Sequence, residues 1–142
     1  MLPLLERYFD FLLKCGFKGP FSYSYIRELH TNYVKGNIII DIVYDGGYWV
    51  NIYKTKKAIL ELELGTKRIV DLEFPEMKLY DLAGLDAKKQ IYKSGYFNNN
   101  LEKQLCYYSK LLLDNPEILY GNLAKFNLIN SLFRKLGLSK KH

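Results

Sequence analysis

Five carboxylates fall where β-strands are expected: Asp41, Glu61, Glu63, Asp71 and Glu73. Acidic side chains on adjacent strands are how metal-dependent nucleases hold Mg²⁺, so metal-assisted hydrolysis is the first chemistry to consider. Those sites add a Lys close to the second acid to polarise the attacking water. Here Glu63 is followed by Leu64 and Gly65, and the Glu-x-Lys is missing. The other readings of the same acids are a solvated strand face and a surface that attracts a basic protein partner.

Histidine and cysteine offer less. His30 falls in an irregular first strand and His142 at the end of the chain, so a triad or a His-x-x-x-His metal pair has nothing to build on. A structural or exposed role is expected for His30. Cys106, between Leu105 and Tyr107, reads as a small core or boundary residue. Cys15 falls at a helix C-terminus, where the dipole disfavours a thiolate. The glycines of Asp45-Gly-Gly47 and Gly65-Thr-Lys67 precede strands rather than helices, so both are turns and not phosphate loops. No catalytic residue, metal or cofactor is implied.

The elements that would position these groups come from periodicity. Ala58–Leu64 and Arg68–Phe74 alternate apolar and polar residues, as half-buried strands do. A three-residue loop at 65–67 sets Leu62 against Val70 and Leu60 against Leu72. Glu61 then lies opposite Asp71, with Glu63 and Glu73 beside them. Like charges facing each other are mildly unfavourable, so this acidic stripe is a candidate partner-binding face.

Trp49 and Tyr53 form a second candidate. With Tyr44 they are expected on one face of a hairpin built from Ile38–Tyr44 and Tyr48–Lys54 across Asp45-Gly-Gly47. Asp41 and Asn51 are expected to interrupt opposite faces of that hairpin.

Ahead of these strands, Leu4, Leu5, Tyr8, Phe9, Leu12 and Leu13 recur at helical spacing, and Gly16 supplies the stop. Gly19-Pro20 breaks the chain, and Ser22–Val34 reads as one irregular strand ending at Lys35-Gly-Asn37. After Pro75, Lys78–Ser94 reads as loop and short helix. Asn98, Asn99 and Asn100 are N-cap candidates for a helix over 101–113 that buries Leu101, Leu105, Tyr108 and Leu112. Asn115-Pro116 ends it, a turn over 117–120 meets Gly121, and a last helix is expected over 123–136. The tail 138–142 should be loose.

The fold class is therefore α+β, in one domain over 1–142. An N-terminal helix precedes an antiparallel meander of four to five strands, and C-terminal helices pack on one face of the sheet.

The 142 residues are 49% apolar and 25% charged, which suits a soluble globular domain. The net charge of +6 comes from dispersed Lys and Arg, so no dedicated nucleic-acid site is implied. No apolar run reaches the roughly 18 residues of a membrane span. Two distant cysteines, and charges at Glu6 and Arg7 that come too early for a secretory leader, point to the cytoplasm.

Two segments then carry a resemblance: Phe11-Leu-Leu-Lys-Cys-Gly-Phe17 at the end of the first helix, and Pro116-Glu-Ile-Leu-Tyr-Gly-Asn-Leu123 before the last. With the strands Ile38–Tyr44 and Trp49–Ile52 between them, the chain resembles small bacterial immunity-type proteins. Several of those are thought to be antidotes encoded beside polymorphic or contact-dependent inhibition toxins. The resemblance implies a non-catalytic protein-binding module whose partner is a cognate toxin domain. It carries over no site residues. The alternatives left open are a nuclease-like protein using the strand carboxylates, and an accessory protein that binds nucleic acid through its lysines.

Overall fold

Residues 2–54, 78–85 and 100–126 are described by the structure, a computed structural model. The chain opens with α1 (Leu2–Phe9) and a short α2 (Phe11–Lys14). Leu5, Phe9 and Leu12 are buried and Leu13 is exposed, so the apolar stripe is narrower than the sequence period implies. Gly16, at φ 96°, ends the helix. The Phe17 N–H reaches back to the Leu12 carbonyl at 3.0 Å and the Gly16 N–H to that of Leu13 at 3.2 Å. This is a Schellman stop, and its two apolar ends, Leu12 and Phe17, both enter the core.

The next four strands form a continuous meander: β1 (Lys18–Tyr25), β2 (Glu28–Lys35), β3 (Ile38–Tyr44) and β4 (Tyr48–Lys54). A fifth, β5 (Lys78–Asp81), pairs with β4, so the sheet order is β1-β2-β3-β4-β5, antiparallel throughout. Among the described residues the sheet has five strands, but they are not the ones expected. Ser22–Val34 is a hairpin rather than one strand, and Lys78–Asp81 is a strand rather than loop. The expected strands 58–64 and 68–74 lie outside the described residues. Near the start of β1 the register shifts between Lys18 and Phe21, around a cis Gly19-Pro20 bond. There Gly19 lies so close to β2 that a Cβ would sit 2.6 Å from the Asn32 carbonyl oxygen.

A 3₁₀ turn (Leu82–Leu85) follows β5, and α3 runs from Leu101 to Asp114. Asn100 caps α3, its side chain accepting from the Lys103 N–H at 3.0 Å. Leu105, Tyr108 and Leu112 are buried and Leu101 packs against them, as the spacing predicts. A second 3₁₀ turn (Pro116–Tyr120) ends at Gly121, φ 87°, with the Asn122 N–H on the Glu117 carbonyl. Of the expected last helix, only Leu123–Phe126 is described; Leu123 and Phe126 are buried.

These helices and turns pack on one face of the sheet, against Ile38, Ile40, Ile42, Tyr48, Val50 and Ile52. Two lysines fix helical ends to strand ends. Lys35 Nζ donates to the Cys15 carbonyl at 2.8 Å, and Lys54 Nζ to the Gly121 carbonyl at 2.7 Å. Cations at helix C-termini satisfy carbonyls that have no partner within the helix. Part of the basic surplus is thus structural.

Candidate functional site

The opposite face of the sheet holds the polar chemistry. Side chains alternate along a strand, so Glu28, His30, Asn32 and Val34 of β2 share this face. Across the β2–β3 ladder Asn32 pairs with Asp41, His30 with Val43 and Val34 with Ile39. Asp41 in turn pairs with Asn51 of β4. Asp41 and Asn51 therefore share a face, contrary to expectation, because the three-residue loop 45–47 sets Tyr44 opposite Tyr48. The same register moves Tyr44 to the helix-covered face with Tyr48, away from Trp49 and Tyr53.

Asp41 is fully buried at 0% exposure, and His30 is 5% exposed. His30 Nδ1 lies 3.0 and 3.1 Å from the two Asp41 carboxylate oxygens, and Asn32 Nδ2 donates to Asp41 Oδ1 at 2.7 Å. On its other side His30 Nε2 lies 2.9 Å from Glu28 Oε1. The Tyr23 ring from β1 stacks on the imidazole, with centroids 5.0 Å apart and planes 4° from parallel. Glu28, His30 and Asp41 thus form a relay running from a half-buried carboxylate to a fully buried one.

Burial alone would lower the imidazole's pKa, but the hydrogen bonds and charges of Asp41 and Glu28 outweigh it and the net shift is upward. At Asp41 burial is the strongest influence and raises the carboxyl, while His30 and Asn32 pull it back. A carboxylate at each ring nitrogen keeps the ring protonated above the pH at which an isolated imidazole releases its proton. The two flanking carboxylates thus favour the protonated form of His30 against its burial.

That geometry limits what the relay can do. A general base needs one ring nitrogen open toward substrate, with the other oriented by an acid. His30 has its orienting acid in Asp41, but its second nitrogen goes to Glu28 instead of a nucleophile. Nor do the acids converge on a cation, because they lie on opposite sides of the ring. Among the described residues no three His, Cys, Asp or Glu side chains are grouped to hold a metal.

The sequence candidates separate as follows. Glu61, Glu63, Asp71 and Glu73 lie outside the described residues. Asp41, the fifth acid, is used up by His30 and Asn32. Trp49 is half-buried: its strand position puts it on the face of Asn51 and Tyr53, and it also touches the main core cluster. Tyr53 covers Val34 and Ile39, and burial pushes its hydroxyl up to about 12. Cys106 is exposed rather than buried, and Cys15 is half-buried beside the first helix stop. Sequence reasoning missed Glu28 and Asn32. Their signal was Glu-x-His-x-Asn, three polar residues on one strand face, which is visible only once residues 26 and 27 are read as a turn.

The described surface also carries bulky apolar side chains. Ile26 is 83% exposed and Tyr25 39%, both at the β1–β2 turn; Leu79, Leu113 and Tyr120 are exposed elsewhere. No described helix is long and apolar enough to cross a membrane. Compared with family models, curated proteins and solved structures, the chain matches none.

Proposed function

We propose that this protein is a non-catalytic binding module, an antidote that acts in the cytoplasm by occluding or distorting a cognate toxin domain. One observation carries the reading: the acid–base cluster of the described sheet is closed on itself. Glu28, His30 and Asp41 have the residue types of a catalytic relay, yet both ring nitrogens are bonded to the chain's own carboxylates. A largely buried cluster with both imidazole nitrogens paired adds rigidity and fixes register, which serves recognition by a preformed surface.

The likeness to immunity-type proteins supports the choice of partner class. Its two motif segments are helix stops, with Leu12, Gly16 and Phe17 in one and Gly121 in the other. They carry architecture, and the recognition surface has to be sought elsewhere.

The experiment is to purify the chain with the product of the adjacent reading frame and to express that product alone in a sensitive host. A one-to-one complex, and growth restored by co-expression, is the expected result. Absence of a complex at micromolar concentration, with growth arrest unrelieved, would refute the reading.

A further inference from the structure

We infer that Tyr25, Ile26 and Arg27, at the tip of the β1–β2 hairpin, are the anchor that enters the partner, and that the partner presents an apolar pocket with an acidic rim. The inference rests on the binding-module reading above and names the surface that reading requires.

The argument begins with a residue in the wrong place for its type. Ile26 has φ 57°, the one positive φ at a non-glycine position among the described residues. It is the first of two loop residues between paired Tyr25 and Glu28, and Arg27 after it keeps a negative φ. Hairpin loops with that pattern call for glycine at the first position. A β-branched side chain crowds its own backbone there.

The neighbouring turns of the same meander follow the rule. The β2–β3 turn has Gly36 at φ 58° and the β3–β4 turn has Gly46 at φ 76°. Where this sheet only has to turn, glycine is used. At the β1–β2 tip an isoleucine is kept, and its side chain is 83% exposed, so it contributes nothing to the core. Strain without burial in the free protein points to a contact made with another molecule.

Its neighbours supply the rest of an anchor. Tyr25 is 39% exposed and Arg27 is exposed, so an aromatic, an aliphatic and a guanidinium project from one tip. Tyr and Arg are among the residues enriched in binding hot spots, and Arg27 selects a carboxylate at the pocket rim. The base of the hairpin is stiff. Glu28, the first residue of β2, bonds His30, and Tyr23 of β1 stacks on the same ring, so the relay ties both strands just behind the tip. A stiff stem loses little freedom on binding.

The test uses the full chain and, as probe, the toxin domain of the adjacent reading frame, with calorimetry and melting curves on the wild type, Ile26→Gly and Arg27→Glu. Ile26→Gly removes the crowding, so it should melt at the wild-type temperature or above. The same variant should bind at least ~30-fold more weakly, the mark of a hot-spot residue. Arg27→Glu should also weaken binding, while Lys110→Glu, on exposed α3 surface, should not. If Ile26→Gly binds within threefold of wild type, the tip is overturned and the binding-module reading stands. If the wild type does not bind the probe, both fall. A wild-type dimer that Ile26→Gly converts to monomer would replace the foreign partner with a second copy of this chain.

Discussion

Replacing Asp41 with Leu should destabilise the protein by about 3–5 kcal/mol, the loss seen when one member of a buried ion pair is removed. The structure shows where that loss arises. Asp41 accepts from His30 Nδ1 and from Asn32 Nδ2, and its carboxylate is wholly shielded from water. Without it the Asn32 amide is left unpaired, costing about 1–3 kcal/mol by itself. Among the described residues His30 then keeps Glu28 alone as a counter-ion. Replacing His30 as well, in Asp41→Leu/His30→Leu, should lose less than the two single changes combined, because no buried charge is then left without its counter-ion.

Urea unfolding followed by the single tryptophan, Trp49, measures this. It should be run at two pH values. The folded-state pKa of His30 lies above its ordinary 6.5, so its contribution is complete below pH 6.5 and fades as pH rises through the folded value. Burial also raises Asp41 above 3.8, so it acts in the same direction at lower pH: the native state holds that proton more tightly, and stability falls as it is released. Wild type should therefore be more stable at pH 6 than at pH 9, and the slope should shrink in Asp41→Leu. A single-variant loss under about 1 kcal/mol, or strict additivity in the double variant, would refute the reasoning.

Three further outcomes follow from particular contacts. Gly19→Ala puts a Cβ 2.6 Å from the Asn32 carbonyl oxygen at φ 140°, so it should lose roughly 2–5 kcal/mol by overpacking and backbone strain, read in the same urea assay. Gln104→Ala removes the side-chain oxygen that accepts the Tyr48 N–H at 2.7 Å, and should cost about 1–3 kcal/mol by leaving that buried amide unpaired. Calorimetry with Mg²⁺ or Mn²⁺ at millimolar concentration should give no binding heat; a saturable signal would restore the metal-dependent nuclease reading.

Much of the fold was legible because its signals were local. Leu105, Tyr108 and Leu112 at helical spacing after Asn100 define α3, and Asp45-Gly-Gly47 between two β-branched runs defines the β3–β4 hairpin. The β1–β2 hairpin was not legible, because its turn carries Ile26-Arg27 where glycine or asparagine would have announced it. That one omission hid the relay. With Ser22–Val34 read as a single irregular strand, Glu28, His30 and Asn32 had no assigned face and Asp41 no neighbours. The β5 strand was missed for another reason: Lys-Leu-Tyr-Asp is too short for any period to emerge, and only pairing with β4 defines it. The faces of Tyr44, Asp41 and Asn51 depended on counting the 45–47 loop as three residues, since one step of register exchanges the two faces.

The most direct test of the closed relay is nitrogen NMR of the His30 ring, assigned by its loss in His30→Gln. The ring should titrate above its ordinary 6.5, with both ring nitrogens carrying protons below that midpoint. A neutral ring with one unprotonated nitrogen, titrating at or below 6.5, would contradict the account and reopen His30 as a base.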